Sequence, residues 1–183
     1  ECVAVDISSV AMERTKLLFP DRPGQKKVRW LQRDILSPDF VDSVGGKESY
    51  DFVFDMQCFH VLRETNETHA ASVIYNLLRP GGVAMVVTGA VSDDEAPLIP
   101  GPAMLTKEEV LAPFTAYIHT DSRITSGMEE EGGGIEAVME VVNMYISRFN
   151  QTEHYSQLEN PPKCWVTLFR KPNAEAARGR VNG

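Results

Sequence analysis

Residues 50–60 read YDFVFDMQCFH, and one helix later residues 77–82 read LLRPGG. In the first stretch, a nearly continuous apolar run ends on an acidic residue, Asp55. Such a run is typical of a strand that is covered on both faces, as in a parallel sheet. A second apolar run of the same character, VAMVVT at residues 83–88, follows the Pro-Gly-Gly turn. The two runs therefore predict buried strands that are joined by a helix.

The segment between these strands carries the clearest helical pattern of the chain. Its apolar residues share one stripe of a helix, namely Ala70, Val73, Ile74, Leu77 and Leu78. Thr65 or Asn66 can cap the start of this helix. The turn at residues 80–82 ends it, because glycine tolerates the positive φ that follows many helices.

Two similar units precede this one. The apolar residues 3–5 end at Asp6, and Ser8 or Ser9 can cap the helix that follows. Residues 28–31 form another short apolar run. Three strand–helix alternations in succession predict an α/β fold with a parallel sheet and right-handed crossovers.

The second half of the chain has a different pattern. Thr106 and Glu109 form a capping box that opens a further helix. Residues 138–149 alternate between apolar and polar, and residues 164–169 are apolar. We therefore expect two strands that form an antiparallel hairpin at a sheet edge. The segment from residue 115 to about residue 140 is interpreted as an insert with an acidic, glycine-rich loop.

The composition limits the classes of function. The chain has 183 residues, the size of one domain, and a net charge of −8, which disfavours binding to nucleic-acid phosphates. No apolar run reaches the roughly 20 residues of a membrane helix. The three cysteines are far apart, which suits reduced thiols, and the glutamates at 129–131 lack a partner that would complete a metal site. We expect a cytoplasmic monomer that acts on a small molecule, without contact to nucleic acid, membrane or metal.

Three carboxylates follow apolar strand segments: Asp6, Asp34 and Asp55. Parallel sheets bind ligands beyond the carboxyl ends of their strands, so we expect these side chains to line one rim. A carboxylate in that position can accept hydrogen bonds from the hydroxyl groups of a ribose. Each aspartate could instead be an ordinary helix cap or turn residue.

Four short motifs narrow the interpretation: Asp55-x-x-Cys58-Phe59-His60, Leu78-Arg79-Pro80-Gly81-Gly82, Gly101-Pro102-x-x-Leu105-Thr106 and Pro161-Pro162-x-x-Trp165. With them the chain resembles the class I methyltransferases that use S-adenosylmethionine (SAM), and more narrowly their thiopurine S-methyltransferase-like branch. The resemblance covers residues 1 to about 114 and the closing hairpin. It implies a Rossmann-like sheet, mostly parallel with an antiparallel C-terminal hairpin, in a partial domain at residues 1–172 with a polar tail at 173–183.

The resemblance also implies roles for individual residues. Asp6 would hold the ribose of SAM, and Ile7 would lie against the adenine. Asp34 would accept a hydrogen bond from the adenine amino group, and Ile35 would pack on the ring. The methionine end of SAM would face three consecutive residues, Asp55, Met56 and Gln57.

The chain departs from the resembled pattern in three places. The first strand and its G-x-G-x-G loop are missing, so we expect the domain to be truncated at its N-terminus. Related sequences often carry Arg-Gly where this chain has Met56-Gln57, which affects the expected substrate contacts. The insert at residues 115–140 is also longer than is usual in the family.

Methyl transfer needs few protein groups, because SAM supplies an electrophilic methyl group. His60 is the candidate for a catalytic base, and the alternative is a core histidine without a chemical role. Cys58 has no neighbour in sequence that would activate it as a nucleophile. The expected acceptor is a small molecule, with a thiol or another soft nucleophile favoured.

Two other hypotheses stay open at this point. The chain could be a methyltransferase-like domain that binds a partner without catalysis. It could also be part of a nicotinamide-dependent oxidoreductase, since an acidic residue after a strand serves the ribose of NAD equally well. The absence of a Tyr-x-x-x-Lys pair argues against the oxidoreductase.

Overall fold

The computed structural model describes residues 2–20, 28–91, 103–115, 118–119, 136–149 and 161–173. The chain divides into two compact units, Glu1–Gly46 and Lys47–Gly183. The acidic loop at 129–134 and most of the polar tail lie outside the described residues.

The first unit contains a pair of parallel strands. Its elements are β1 (Cys2–Asp6), α1 (Ser9–Leu18), β2 (Val28–Gln32) and the short helix α2 (Phe40–Val44). Asp6 lies opposite Gln32 in the β1–β2 register. Both predicted strands are confirmed, and Ser8 caps α1 by accepting a hydrogen bond from the backbone N–H of Ala11 at 3.2 Å. Met12 is the buried side chain of α1, whereas Leu17 and Leu18 at its C-terminal end are exposed.

The second unit contains a four-stranded mixed sheet. Its elements are β3 (Tyr50–Met56), α3 (Cys58–Leu77), β4 (Leu78–Gly89), α4 (Lys107–Thr115), β5 (Ile118–His119), β6 (Glu136–Ala137), β7 (Glu140–Arg148) and β8 (Lys163–Arg170). The strand order is β3-β4-β8-β7. β3 and β4 are parallel, and β8 is antiparallel to both β4 and β7. The predicted antiparallel hairpin at a sheet edge is therefore confirmed.

Helix α3 is longer than its apolar stripe predicts. It begins at Cys58, and its backbone leaves the helical region at Asn66, where φ is −159° and ψ is 89°. The side chain of Asn66 accepts a hydrogen bond from the backbone N–H of His69 at 3.0 Å. The predicted cap at Asn66 therefore exists, but it restarts a helix after a kink instead of opening the first turn.

Three aromatic rings fill the space between the sheet and the helices. The ring centroids of Phe59 and Phe114 are 4.9 Å apart, and those of Phe114 and Phe169 are 4.3 Å apart. All three side chains are fully buried. Because they come from α3, α4 and β8, they join the helices that follow β3 and β4 to the centre of the sheet.

The helix α4 starts with the predicted capping box. The backbone N–H of Thr106 donates a hydrogen bond to the side chain of Glu109, and the backbone N–H of Glu109 donates one to the side chain of Thr106.

Short strands β5 and β6 pair antiparallel within the predicted insert, and they stand apart from the four-stranded sheet. None of the helices that the structure describes is long and apolar enough to cross a membrane.

A buried lysine secures the amino ends of β3 and β4. The ammonium of Lys171 donates hydrogen bonds to the backbone carbonyls of Tyr75 at 3.2 Å and Leu78 at 2.8 Å. It also forms an ion pair with Glu48 at 3.0 Å and lies 4.2 Å from the centroid of the Tyr75 ring. A positive charge at this point satisfies carbonyls at the C-terminal end of α3 and interacts favourably with the helix dipole.

We expect Lys171→Met to lower the free energy of unfolding by about 2–4 kcal/mol, because hydrogen bonds from a charged group are lost and buried carbonyls stay unpaired. Urea denaturation measures this change. Lys16→Met, at the exposed end of α1, is the control and should change stability by less than about 0.5 kcal/mol. Equal effects of the two substitutions would contradict the anchoring role of Lys171.

Candidate functional site

Asp6 and Asp34 lie at the same end of the β1–β2 pair. Asp6 is the last residue of β1, and Asp34 follows the end of β2. The Asp6 carboxylate accepts a hydrogen bond from the backbone N–H of Ser8 at 2.7 Å, and the Asp34 carboxylate accepts one from Leu36 at 2.9 Å. Each aspartate therefore stabilises a turn through one oxygen, and within the described residues its second oxygen stays open to a ligand at the carboxyl end of the strands.

Two isoleucines accompany these carboxylates. Ile7 is 67% exposed directly after Asp6, and its backbone carbonyl accepts a hydrogen bond from the Gln32 side chain at 3.2 Å. Ile35 is half-buried directly after Asp34. An exposed isoleucine on an anchored turn offers an apolar surface on which a planar ring can pack.

Asp55 is the buried carboxylate of the second unit. It ends the apolar run of β3 opposite Val86 of β4, and it is 9% exposed. Its Oδ2 atom accepts a hydrogen bond from the backbone N–H of Phe59 at 2.9 Å. Its Oδ1 atom is buried and has no hydrogen-bond partner within the described part of the chain. A buried carboxylate oxygen without a partner is unfavourable by itself, which marks Asp55 as a candidate for ligand contact.

Burial raises the pKa of Asp55 to about 6, and the backbone N–H groups of Phe59 and Cys58 act in the opposite direction. Removal from water is the larger effect because it disfavours the charged form. The carboxyl group is therefore ionised at neutral pH, and it becomes protonated in mildly acidic solution.

Met56 and Gln57 connect β3 to α3. The side chain of Met56 is 49% exposed. Gln57 has a φ of 64°, a left-handed conformation that is uncommon for a residue with a side chain. Its backbone N–H donates to the carbonyl of Val87 at 2.8 Å. This bond ties the turn to β4, and the unusual backbone makes it a candidate site element.

His60 is buried, and both of its ring nitrogens contact the backbone. The N–H of Gly89 donates to Nδ1 at 3.2 Å, and Nε2 lies 2.5 Å from the carbonyl oxygen of Ala103. Because Nδ1 accepts a hydrogen bond, the proton of the neutral ring is assigned to Nε2, which donates to Ala103. This geometry favours the alternative of a core histidine, since both ring nitrogens are engaged by backbone groups. Cys58, two residues earlier, is half-buried.

The segment Ala103–Leu105 belongs to this neighbourhood, and its contacts with His60 and Trp165 were not predicted from the sequence. The indole N–H of Trp165 donates to the carbonyl of Leu105 at 3.0 Å. A side-chain carbon on Gly89 would lie 2.5 Å from the sulfur of Met104 and 2.9 Å from His60. A larger residue at position 89 would therefore require Met104 and His60 to shift. The motifs around Leu105 and Trp165 were visible in the sequence, but no local signal pairs residues that are so far apart along the chain.

The structure brings Asp6 and Asp34 to one end of the first unit and Asp55 to the carboxyl end of β3 in the second. The arrangement of all three around one rim stays a prediction.

Sequence comparison gives one match. A family model described as a methyltransferase domain matches residues 1–84. Comparison with curated proteins gives no match.

Solved structures share the fold at low sequence identity. A SAM-dependent methyltransferase from Methanosarcina mazei is 14% identical, with a TM-score of 0.60 over 93% of this chain and 82% of that chain. The 1,6-didemethyltoxoflavin-N1-methyltransferase of Burkholderia thailandensis, with bound S-adenosylhomocysteine (SAH), is 14% identical, with a TM-score of 0.55 over 93% of this chain and 61% of that chain. The N-methyltransferase NodS from Bradyrhizobium japonicum in complex with SAH is 15% identical, with a TM-score of 0.55 over 93% and 66% of the two chains.

The predicted fold class is confirmed, because the mixed α/β architecture is that of Rossmann-like SAM-dependent methyltransferases. The methyltransferase-domain model matches residues 1–84, and the solved structures show that the chain shares their fold. They do not distinguish the thiopurine S-methyltransferase-like branch from others.

We expect the pKa of Asp55 to appear in the pH dependence of stability. The native state binds this proton more tightly than the unfolded chain does, so stability rises as the pH falls through 6. Between pH 7.5 and pH 5, the wild type should gain about 1–1.5 kcal/mol relative to Asp55→Asn, which has no such proton. Urea denaturation at both pH values measures the difference.

Asp42→Asn, an exposed residue of α2, is the control for that experiment and should follow the wild type at both pH values. If Asp55→Asn also follows the wild type, the pKa of Asp55 is not raised.

Proposed function

We propose that this chain belongs to an enzyme that transfers a methyl group from SAM to a small molecule. The observation that carries the proposal is the Asp55 carboxylate, which is buried at the carboxyl end of β3 with one oxygen unpartnered among the described residues. Burial of a charge in this way is unfavourable unless a ligand compensates for it. The methyltransferase-domain match over residues 1–84 includes this aspartate and both strand-end aspartates of the first unit.

The described residues fit the polar groups of SAM. Asp6 would accept hydrogen bonds from the ribose hydroxyls, and Asp34 would accept one from the adenine amino group. Ile7 and Ile35 would pack against the adenine. These assignments use carboxylates as acceptors for hydroxyl and amino donors, and apolar side chains for a planar ring.

Asp55, with Met56 and Gln57, would hold the methionine end of SAM. That end carries an ammonium group, and a cation beside Asp55 would compensate for the cost of its burial. The exposed side chain of Met56 and the fixed turn at Gln57 would shape the same contact. When bound, SAM supplies an electrophilic methyl group, so the protein's task is to position an acceptor and to exclude water.

The acceptor is proposed to be a small molecule with a thiol or another soft nucleophile. His60, the candidate base, is occupied by backbone groups on both nitrogens. A thiol suits a site without a base because its pKa of about 8.5 lets part of it ionise near neutral pH without help. Among the similar solved structures, that of the N1-methyltransferase contains 1,6-didemethyltoxoflavin, a small molecule.

Calorimetric titration with SAH tests the proposal. We expect binding by the chain, and we expect Asp6→Ala to weaken it by about 1.5–3 kcal/mol, the range for lost hydrogen bonds to a charged group. Asp42→Ala, an exposed aspartate of the same unit, is the matched control and should leave the affinity unchanged.

Two outcomes would contradict the proposal. Absence of SAH binding together with binding of NAD would favour the oxidoreductase hypothesis. Absence of binding to either compound would favour a methyltransferase-like domain that binds a partner without catalysis.

A further inference from the structure

Three sequence motifs converge at the carboxyl end of β4. His60, Leu105 and Trp165 belong to separate motifs, around residues 55–60, 101–106 and 161–165. In the structure, His60 and Trp165 both donate hydrogen bonds to the segment Ala103–Leu105. Nothing in the proposed binding of SAM uses these residues.

Backbone hydrogen bonds join the same segment to the end of β4. The N–H of Leu105 donates to the carbonyl of Gly89 at 3.1 Å, and the N–H of Val91 donates to the carbonyl of Leu105 at 2.9 Å. The carbonyl of Leu105 therefore accepts from both Val91 and the indole of Trp165. These contacts form a short parallel bridge between Ala90 and Leu105.

The side chains of the segment differ sharply in exposure. Leu105 is 1% exposed, whereas Met104, which lies between Ala103 and Leu105, is 36% exposed. His60, which contacts the segment from α3, is 2% exposed. Gly89 allows this close packing, because a side-chain carbon there would force Met104 and His60 to shift. Because several hydrogen bonds hold the segment Ala103–Leu105, the exposed side chain of Met104 has a defined position.

The position of the segment indicates which part of the site it serves. β3 and β4 are parallel neighbours, so their carboxyl ends lie at the same edge of the sheet. The residues proposed for SAM follow β1, β2 and β3, and none of them follows β4. The end of β4 is thereby left for the acceptor.

We propose that His60 and Trp165 are positioning residues that fix the segment Ala103–Leu105 as an acceptor-side wall of the methyl-transfer site. The inference rests on the proposed function. The neutral ring of His60 bridges two backbone groups. It accepts a hydrogen bond from the N–H of Gly89 through Nδ1 and donates one to the carbonyl of Ala103 through Nε2. Trp165 acts from β8 and holds the far end of the same segment.

Amide hydrogen exchange by NMR, combined with SAH titration, tests the inference. Trp165→Phe removes the indole donor and keeps an aromatic ring, and His60→Ala removes both ring contacts. Each should speed the exchange of the Val91 and Leu105 amides by about tenfold, the effect of losing one hydrogen bond. The SAH dissociation constant should change by less than about twofold, since loss of a remote contact alters binding little.

Asp55→Asn should show the opposite pattern, with weaker SAH binding and unchanged exchange at Val91 and Leu105. His69→Gln, on the same helix as His60, is the matched control and should change neither quantity. Nitrogen-15 spectra of the wild-type histidines should show His60 with an unprotonated Nδ1 and a protonated Nε2, a signature that general loss of packing would not produce.

Several results would overturn the inference. Unchanged exchange in Trp165→Phe, or a His60 ring protonated at Nδ1, would show that these residues do not hold the segment. An equal loss of SAH binding in Trp165→Phe and Asp55→Asn would place the segment on the cofactor side. If His60→Ala fails to fold, Trp165→Phe and the nitrogen-15 signature still decide. If the wild type does not bind SAH, the proposed function fails and the acceptor-side assignment fails with it, while the exchange data still report whether the segment is held.

Discussion

The parallel pairing of β3 with β4 is the constraint on which the second unit depends. Two parallel neighbours require a crossover, and α3 supplies it within a single continuous stretch of chain. The pairing brings the end of β3, with Asp55, beside the end of β4, with Gly89. The packed rings of Phe59, Phe114 and Phe169 hold the crossover against the sheet. Stability and site geometry therefore arise from the same pairing.

That pairing also explains why the candidate ligand-binding groups of the second unit lie at the carboxyl ends of β3 and β4. At the amino ends of the strands, Lys171 donates hydrogen bonds to carbonyls at the end of α3 and forms an ion pair with Glu48. At the carboxyl ends, Asp55 keeps a buried oxygen without a partner among the described residues. At the amino edge, the protein itself supplies the partner for these buried carbonyls. At the carboxyl edge, a ligand could supply the partner for the buried oxygen of Asp55. This asymmetry is what a strand-end binding site in a parallel sheet predicts.

Much of the fold could be predicted from the sequence because its signals are local. The buried strands at β3 and β4, the caps at Ser8 and Asn66, and the capping box at Thr106 each depend on residues a few positions apart. The site was less accessible to such reasoning. The partners of His60 lie on Gly89 and Ala103, and periodicity carries no information about contacts over that separation. The burial of Asp55 likewise depends on β4 and α3, so the sequence indicates a strand-end aspartate but not its raised pKa.

The central claim is that Asp55 meets the charged end of SAM, and proton release on SAH binding tests it most directly. Titrations at pH 6 in two buffers of different ionisation enthalpy measure the protons exchanged. A cation beside Asp55 favours its ionised form, so we expect that about half a proton is released from a group with a pKa of about 6. The release should vanish in Asp55→Asn. Binding of SAH with the same proton release in wild type and Asp55→Asn would contradict the account.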